Sequence, residues 1–452
     1  MLNRRRFLTH SCSLGVAGAT LSSSLLQLGL ARSVSAQTED YRALVCILLA
    51  GGNDSYNMLV PRDNDQYEAY RDYRSDLALP KNQLLPLDGS ADGGRRYGLH
   101  PGMAGLQSLF NGGDAAMLCN VGTLLEPWTG EPDRVPLGLY SHADQIQQWQ
   151  TSVADQRMAQ GWGGRIADIL QGPNPANGIS MNISLSGSNV FQSGNDTAEY
   201  SISAQGNGAP GLNNYDNGTP EGDFRKAMVD GLLAVNQPHI LRKEYRQRLQ
   251  TAVDAQQLFS AALGATPELS TPFSPSYFSQ SLRQIARVMS AREALGVSRQ
   301  TFFVLVGGWD HHDEVLVNQA NMLPQISDGL VEFRNAMLEL GLHDQVTTFT
   351  TSDFGRTLTS NGRGSDHGWG GHHIVMGGAV RGGFYGQYPE LDPASPLDTG
   401  RGRYAPTTSV DEYFAELALW LGVSPSDLDS VLPNIANFYS PGAASAPMGF
   451  LL

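Results

Sequence analysis

The sequence is poor in cysteine, in charged residues and in basic residues. With only three Cys in 452 residues, it cannot be a small domain built on disulfides. Lys and Arg number 30 against 44 Asp and Glu, a formal net charge of −14, which excludes a protein that binds nucleic acid by neutralising its phosphates. Charged residues make up 16% and hydrophobic residues 41% of the chain, a balance that excludes a disordered protein.

Apolar runs of the length that spans a membrane, about 18 residues or more, are also missing after the N-terminal segment. That segment has arginines at 4–6, an apolar stretch over 11–31 diluted with Gly and Ser, and small residues at 34–36. This order predicts a twin-arginine signal peptide over residues 1–36, with an N-terminal membrane anchor as the alternative. We expect the twin-arginine translocase and signal peptidase as partners during export. The mature chain is then periplasmic or otherwise exported and is not an integral membrane protein.

Cleavage after Ala36 leaves two cysteines, Cys46 and Cys119. It removes basic residues but no acidic one, so the mature chain is more acidic than the whole sequence. Both cysteines lie in apolar stretches, which predicts buried free thiols. A disulfide between them is the alternative in an oxidising compartment.

Short apolar or alternating runs typical of strands take turns with segments that have the apolar spacing of helices. The runs lie at 43–50, 115–121, 180–185, 302–306, 346–351 and 373–380, and the helical segments at 141–152, 224–236, 240–262, 277–295, 314–340 and 409–421. This alternation predicts an α/β fold with a mainly parallel central sheet flanked by helices. Residues 40–452 are predicted to form one domain, in which the Asn- and Gly-rich stretch 194–222 is a polar loop insertion.

Acidic and imidazole side chains directly follow three of these runs. Asp54 comes after the first run, Asp310 and His312 after the fourth, and Asp353 after the fifth. Because ligands of open α/β sheets bind beyond the carboxyl ends of the strands, we expect these side chains to converge. Carboxylates and imidazoles together suit Zn²⁺, Mn²⁺ or Mg²⁺, bound as one or two ions.

The loop before the last run adds residues of the same types. Asp366 and His367 lie in a Gly- and Trp-rich segment, with His372 close behind. Taken singly, such residues have ordinary interpretations, since Asp54 is also typical of a turn and Asp353 of a helix cap. Their concentration at strand ends favours a joint metal site.

Two polar residues complete the candidate site. Ser141 precedes a predicted helix, where it is either an N-cap or a nucleophile favoured by the positive end of the helix. Arg356 follows Asp353 closely and either makes a structural ion pair or holds an anionic oxygen through its guanidinium group. His142, next to Ser141, is either a partner in the site or a surface residue.

Motifs spread over the mature chain carry a resemblance to a known family. In chain order they are GGNDSYN, YSHADQ, GWGGRIAD, GGWDHH, SDFGRT, GSDHGWGGHHIVMGGAVRGG and PTTSVDEY. Across residues 40–450 the chain resembles a bacterial family of twin-arginine-exported proteins, known as a domain of unknown function. That family is placed in the alkaline phosphatase-like (sulfatase-like) superfamily, which implies that fold.

The superfamily resemblance also implies an Asp after the first strand, a nucleophile before a helix, and two metals held by later Asp and His residues. Asp54 matches the first position and Ser141 the second. Asp310 and His312 resemble the ligand pair of one metal, with one residue between them where many relatives have three.

The remaining ligands match the superfamily in two ways. Either Asp353 is the later Asp and His367 the final His, or Asp366 and His367 form an adjacent pair and His372 is the final His. The first is preferred, because Asp353 directly follows an apolar run and His367 precedes one.

Two features depart from the superfamily. The sulfatase pattern of Cys or Ser followed by x-Pro-x-Arg is absent, and Phe354 follows Asp353 where an adjacent His is expected. We therefore expect a metal-dependent hydrolase of phosphate esters, less so of sulfate esters, in which Ser141 attacks a small anionic substrate and Arg356 assists. The alternative is a non-catalytic metal- or ligand-binding protein of the cell envelope that retains the fold.

Overall fold

The computed structural model describes residues 41–451 apart from 131–133, 171–178, 207, 209–210, 213–214, 216–217 and 236–238. The predicted signal peptide at 1–36 lies outside these residues. None of the helices within them combines the length and the apolar character that crossing a bilayer requires.

Strands and helices alternate along most of the chain. The strands are β1 (Arg42–Leu49), β2 (Leu59–Pro61), β3 (Leu85–Pro86), β4 (Tyr97–Leu99), β5 (Ala115–Gly122), β6 (Asn182–Ser184), β7 (Tyr200–Ser201), β8 (Arg299–Val306), β9 (Val346–Ser352), β10 (Arg356–Ser360), β11 (Ser365–His367), β12 (Gly371–Met376), β13 (Gly383–Gly386) and β14 (Thr408–Ser409). The helices are α1 (Asn64–Arg74), α2 (Ala104–Asn111), α3 (His142–Thr151), α4 (Trp162–Ile169), α5 (Pro220–Ala234), α6 (Ile240–Gly264), α7 (Tyr277–Ser290), α8 (Arg292–Leu295), α9 (Val315–Glu339), α10 (Val410–Leu421) and α11 (Leu428–Val431).

β1 lies near the centre of the main sheet, because its apolar side chains are buried from Ala43 to Leu49. The strand order is β13-β5-β12-β9-β1-β8-β6-β7, with β14 beside β5. The paired strands of this sheet run parallel except at β12, which is antiparallel to β5 and to β9. The predicted α/β class and its mainly parallel central sheet are confirmed.

The three central strands end level with one another. Leu49 of β1 pairs with Val306 of β8 on one side and with Ser352 of β9 on the other. The loops that follow therefore leave the sheet together, at its carboxyl edge. Gly51 permits their close approach, because its φ is +120° and a Cβ there would lie 2.5 Å from the backbone nitrogen of Asp310.

Aromatic side chains join two of the helices to the sheet. Trp162 of α4 stacks on Phe414 of α10 with their ring centroids 4.5 Å apart, and both rings contact Phe349 of β9. Ser409 starts α10 with a capping box that includes Glu412, so this helix begins where the sequence predicts. These contacts fix α10 against the sheet, and its last residues, Trp420 and Leu421, accept hydrogen bonds from Arg42 and Arg299 at the start of β1 and β8.

Cys46 and Cys119 are both free and buried. They lie on β1 and β5, which are separated in the sheet by β9 and β12. Burial raises the pKa of the Cys46 thiol to about 12, so the group stays protonated and unreactive. The alternative of a disulfide is wrong for this structure.

The predicted loop insertion at 194–222 contains regular structure in its described part. Tyr200–Ser201 forms β7, which lengthens the sheet beside β6. Pro220 begins α5, with Thr219 as its N-cap. Polar composition alone therefore did not separate a loop from the short edge strand of a sheet.

Asp411, in the first turn of α10, is expected to give the protein a pH-dependent stability. Burial raises its pKa from 3.8 to about 7, although hydrogen bonds from the Ser152 and Ser409 hydroxyls act in the opposite direction. The folded protein thus holds a proton that the unfolded chain has lost, and stability falls as the pH rises from about 4 to about 7. We expect Asp411→Asn, which mimics the protonated acid, to remove this fall in urea unfolding across that range. An unchanged slope would assign the pH dependence to other groups.

Candidate metal centre

Three imidazoles and one carboxylate converge at the carboxyl edge of the sheet. His142 is the first residue of α3, Asp310 and His312 lie in the loop after β8, and His367 ends β11. His142, Asp310 and His367 each offer a ligand atom, and these atoms lie within 4.8 Å of one another. The four residues are called the His/Asp cluster below.

The Nε2 atoms of the three histidines all face Asp310. The distance is 3.5 Å to Oδ2 for His142, and 3.1 and 3.3 Å to Oδ1 for His312 and His367. The Nε2 atoms of His312 and His367 are 2.9 Å apart. The exposed fraction of the four side chains ranges from 23% for His367 to 46% for Asp310. A small molecule can therefore reach the cluster from solvent.

The other ring nitrogen of each histidine is held by an acceptor. His142 Nδ1 lies 2.6 Å from Oδ2 of Asp353, and His312 Nδ1 lies 3.1 Å from Oδ1 of Asp366. His367 Nδ1 donates to the backbone carbonyl of Tyr140 at 2.8 Å. Such partners place the proton on Nδ1 and leave the Nε2 lone pair for a metal, as in known metal sites.

The chemistry of these groups fits a bound cation. Carboxylates and carbonyls only accept hydrogen bonds, so an imidazole of His312 or His367 that carries one proton has it on Nδ1 and presents its Nε2 lone pair to the other ring and to Asp310. Acceptors this close repel one another unless a cation lies among them or one imidazole is protonated. Three imidazoles with one carboxylate are a donor set that suits Zn²⁺.

The two carboxylates behind the histidines are themselves fixed. Asp353 is buried and accepts a hydrogen bond from the backbone nitrogen of Gly51 at 2.9 Å. Partial burial raises the pKa of Asp366, but hydrogen bonds from Asn361, Arg401 and His312 outweigh it and bring the pKa to about 2. Asp366 is therefore ionised at neutral pH and able to hold the His312 ring.

Arg356, at the start of β10, lies beneath the cluster. Its side chain is buried and donates to the backbone carbonyls of Gly51, Gly52, Trp309 and Ser365. The same guanidinium contacts Oδ1 of Asp310. Partial burial raises the pKa of Asp310, but this contact and the nearby histidines lower it by more than burial raises it. The pKa is therefore below its ordinary value, and the carboxylate is charged. Arg356 thus joins three loops and fixes the carboxylate of the cluster.

Tyr140 holds His367 from a strained backbone position. Its φ is 73°, in the left-handed region that residues other than glycine rarely adopt. The guanidinium of Arg403 lies 4.9 Å from the centre of the Tyr140 ring and donates to the carbonyl of His367 at 2.8 Å. Burial lowers the pKa of His367, which favours the neutral ring that a metal requires.

Asp54 lies apart from the cluster in a buried ion pair. Its Oδ2 is 2.7 Å from a guanidinium nitrogen of Arg74 and accepts a hydrogen bond from the Ser365 hydroxyl at 2.7 Å. Both charged side chains are fully buried. Arg74, which the sequence does not suggest, therefore provides the positive charge beside Asp54.

His372 also lies apart from the cluster. Its Nδ1 accepts a hydrogen bond from the backbone nitrogen of Asn120, and its ring stacks on Tyr388 with centroids 4.5 Å apart. Burial lowers the pKa of His372 to about 3, so the ring is neutral. The two matches to the superfamily differ in whether His367 or His372 is the final histidine. In the structure His367 lies beside Asp310 and His372 does not.

Ser141 is the N-cap of α3 by position and precedes His142 in the chain. Its side chain hydrogen-bonds to Asp144, whose pKa is lowered first by Arg157 and also by this contact. Of the two predicted catalytic residues, Arg356 therefore contacts the cluster through Asp310, whereas Ser141 adjoins His142 in the chain and its hydroxyl is directed at Asp144.

His142 is the residue whose role the sequence leaves open, and the structure brings its Nε2 into the cluster. The available signal is its position, directly after a capping serine and at the start of a helix. That helix begins at the edge of the sheet where the Asp- and His-bearing loops end. Tyr140 acts through a backbone atom, so its side chain carries no such signal.

Similar solved structures have low sequence identity to this chain. Ps i-CgsB, also solved in complex with k-i-k-neocarrahexaose, is 10% identical with a TM-score of 0.34, over 89% of this chain and 77% of that chain. A 2-O GAG sulfatase is 9% identical with a TM-score of 0.31, over 85% and 71%. A Bacteroides thetaiotaomicron protein from a glycosaminoglycan-metabolism locus is 11% identical with a TM-score of 0.29, over 76% and 69%. No curated protein matches the chain.

One family covers the region that carries the cluster. The family described as Protein of unknown function (DUF1501) matches residues 41–400, which include all four cluster residues and the acceptors behind them. Because this match spans well over half of the sequence, the chain belongs to the DUF1501 family.

Proposed function

We propose that this protein is a metal-dependent hydrolase of phosphate esters, with sulfate esters as poorer substrates. The single observation that supports this is the convergence of three imidazole Nε2 atoms on the Asp310 carboxylate. We further propose that the protein is exported to the periplasm through the twin-arginine translocase and cleaved by signal peptidase. One divalent ion is the proposed cofactor, with Zn²⁺ favoured over Mn²⁺ and Mg²⁺ by the imidazole donors.

His142, His312, His367 and Asp310 would hold the ion. When bound there, it would supply positive charge to the anionic oxygens of an ester and lower the pKa of a water molecule. The residues behind the cluster keep the ligands oriented, with Asp353 and the other acceptors on the Nδ1 atoms. Fixed ligands of this kind need no rearrangement when a substrate arrives.

Arg401 is the proposed contact for the anionic group of the substrate. Its guanidinium lies 2.6 Å from Asp366, the residue that holds His312, and its side chain is about half exposed. Its φ is 63°, an unfavourable conformation of the kind that occurs at functional sites. Arg356 is less suited to this role, because its donors are directed at backbone carbonyls and at Asp310.

Ser141 is the proposed nucleophile. It is adjacent in the chain to the ligand candidate His142 and lies at the positive end of α3. Its hydrogen bond to Asp144 gives the hydroxyl proton an acceptor. Attack on a substrate requires the hydroxyl to turn from Asp144 towards the cluster.

A metal-binding protein without ester hydrolysis is the second candidate. The buried ion pair between Asp54 and Arg74 favours it, because that carboxylate is already neutralised and is a poor ligand for a second metal. A mechanism that depends on two metals would then be lost.

The two candidates can be separated with the purified protein, its Asp310→Asn and Ser141→Ala variants, and a panel of phosphate and sulfate esters. We expect bound metal and turnover in the parent, loss of both in Asp310→Asn, and retained metal with at least about 100-fold lower kcat in Ser141→Ala. Arg401→Gln is expected to raise KM for phosphate esters and to leave the metal content unchanged.

Other outcomes would contradict parts of the proposal. If the parent bound metal but hydrolysed no ester, the protein would be a metal-binding protein without ester hydrolysis, the second candidate. Full turnover by Ser141→Ala would exclude the serine as nucleophile. Metal retained at parental affinity in Asp310→Asn would exclude the His/Asp cluster as the metal-binding site.

A further inference from the structure

A pair of helices distant in sequence from the cluster residues exposes an unusual amount of apolar surface. In α5 the buried residues are Gly222 and Leu233, and in α6 burial begins at Val253. Residues 220–235 and 239–252 are called the exposed hairpin below. Arg246 joins its two helices by donating to the carbonyl of Leu233 at 3.0 Å.

Large apolar side chains follow helical spacing on this hairpin. Phe224, Met228 and Leu232 form a stripe at every fourth residue of α5, and Leu241 and Tyr245 form another on α6. The exposed fractions are 65% for Phe224, 67% for Leu232, 76% for Ile240, 71% for Leu241 and 70% for Tyr245. Stripes of this kind normally lie against another apolar surface.

A groove of about 680 Å³ runs between the two helices. Leu232, Leu233 and Leu249 contribute apolar walls, and Arg242 and Arg246 also line it. The groove therefore combines apolar walls with positive charge.

The charge of the hairpin is opposite to that of the chain as a whole. Arg225, Lys226 and Arg248 form ion pairs with Glu221, Asp230 and Glu244, each one helical turn away. Arg246 donates to the backbone carbonyl of Leu233. Within the described part of the chain, no ion pair involves Arg242 or Lys243, which sit beside the exposed Ile240 and Leu241. In a protein of net charge −14, these two cations next to apolar side chains are complementary to an anionic, apolar surface.

We propose that the exposed hairpin docks the protein on the surface of an anionic lipid bilayer. The apolar side chains at 240, 241 and 245 enter the interface, and Arg242 and Lys243 contact the acidic headgroups. The protein then lies on the membrane and does not cross it. The charge complementarity favours a bilayer over a second copy of this chain, because two such hairpins would bring their unpaired cations together.

The test measures binding of the protein to phosphatidylglycerol–phosphatidylcholine vesicles and to pure phosphatidylcholine vesicles by co-sedimentation. We expect binding to the anionic vesicles that weakens as salt is raised. Arg242→Gln combined with Lys243→Gln is expected to weaken it roughly 25-fold, since each basic residue near an anionic surface contributes on the order of a fivefold factor. Ile240→Ser combined with Leu241→Ser is expected to abolish it.

Exposed residues outside the hairpin provide matched controls. Val317→Ser with Leu338→Ser removes two exposed apolar side chains from α9, and Arg71→Gln with Arg157→Gln removes the same positive charge from elsewhere. Both control pairs are expected to bind vesicles as the parent does.

Three outcomes would overturn the proposal. The first is no binding to anionic vesicles, and the second is equal binding to both vesicle types with no effect of the Arg242/Lys243 change. The third is a stable dimer in solution that Ile240→Ser with Leu241→Ser dissociates, because a second copy would then cover the hairpin. None of these results depends on ester hydrolysis.

Discussion

Replacing His142 by alanine is expected to weaken Zn²⁺ binding by more than about 100-fold. Loss of a residue that merely orients a metal ligand already costs on the order of 10–100-fold in metal affinity, and His142 is proposed to be a ligand itself. Its Nε2 lies 3.5 Å from Asp310 Oδ2, and its side chain is only partly buried, so the variant is expected to fold. Competition with a chromophoric chelator measures the affinity, and circular dichroism checks the fold.

His343→Ala is the matched control for this variant. His343 is a partly buried histidine that pairs with Asp114 at 3.1 Å and takes no part in the cluster. We expect parental Zn²⁺ affinity in this control. Equal affinities in His142→Ala and the parent would show that His142 is no ligand, and the proposed site would then reduce to two histidines and a carboxylate.

Replacing Arg74 by methionine is expected to lower the free energy of unfolding by about 3–5 kcal/mol, because removing one partner of a buried ion pair leaves an uncompensated charge. The charge left behind is that of Asp54, which is fully buried. Asp54→Asn in the same chain is expected to restore much of the loss, since the pair is then replaced by neutral groups. Urea unfolding followed by circular dichroism measures all three proteins.

Arg71→Met tests whether the effect belongs to the ion pair or to the helix. Arg71 lies on α1 as Arg74 does, but its partner Glu68 is exposed, and such surface pairs contribute about 1 kcal/mol or less. We expect a correspondingly small change. If Arg74→Met were as stable as Arg71→Met, the buried pair with Asp54 would contribute no more to stability than a surface ion pair does.

The three central strands were predictable because each is a short, mostly buried run of residues with a strong preference for strands. The sequence runs at 43–50, 302–306 and 346–351 correspond to β1, β8 and β9, and the convergence of their following loops follows from parallel pairing. The direction of β12 was not predictable. The apolar pattern of β12 is the same whether the strand runs parallel or antiparallel to its neighbours. The direction is set by its pairing between β5 and β9.

The site was predictable as a region and less so as a set of contacts. Asp310, His312 and His367 were placed by their position at strand ends and in the Gly-rich loop. Asp54 shares that position, but its partner Arg74 lies on a helix, twenty residues further along the chain. No local sequence pattern predicts this ion pair. Placing His142 in the site requires knowing where α3 begins relative to the sheet, which the sequence does not show.

The position of Arg356 has a consequence for how the cluster would take up the proposed ion. One buried guanidinium holds the ends of β1 and β8 together and also contacts Asp310. The Asp310 carboxylate is thereby positioned by the folding of the sheet, independently of any ion. We therefore expect little conformational entropy to be lost in positioning Asp310 if the proposed ion binds. Because the cluster is partly exposed, the proposed ion is expected to enter and leave without opening of the fold.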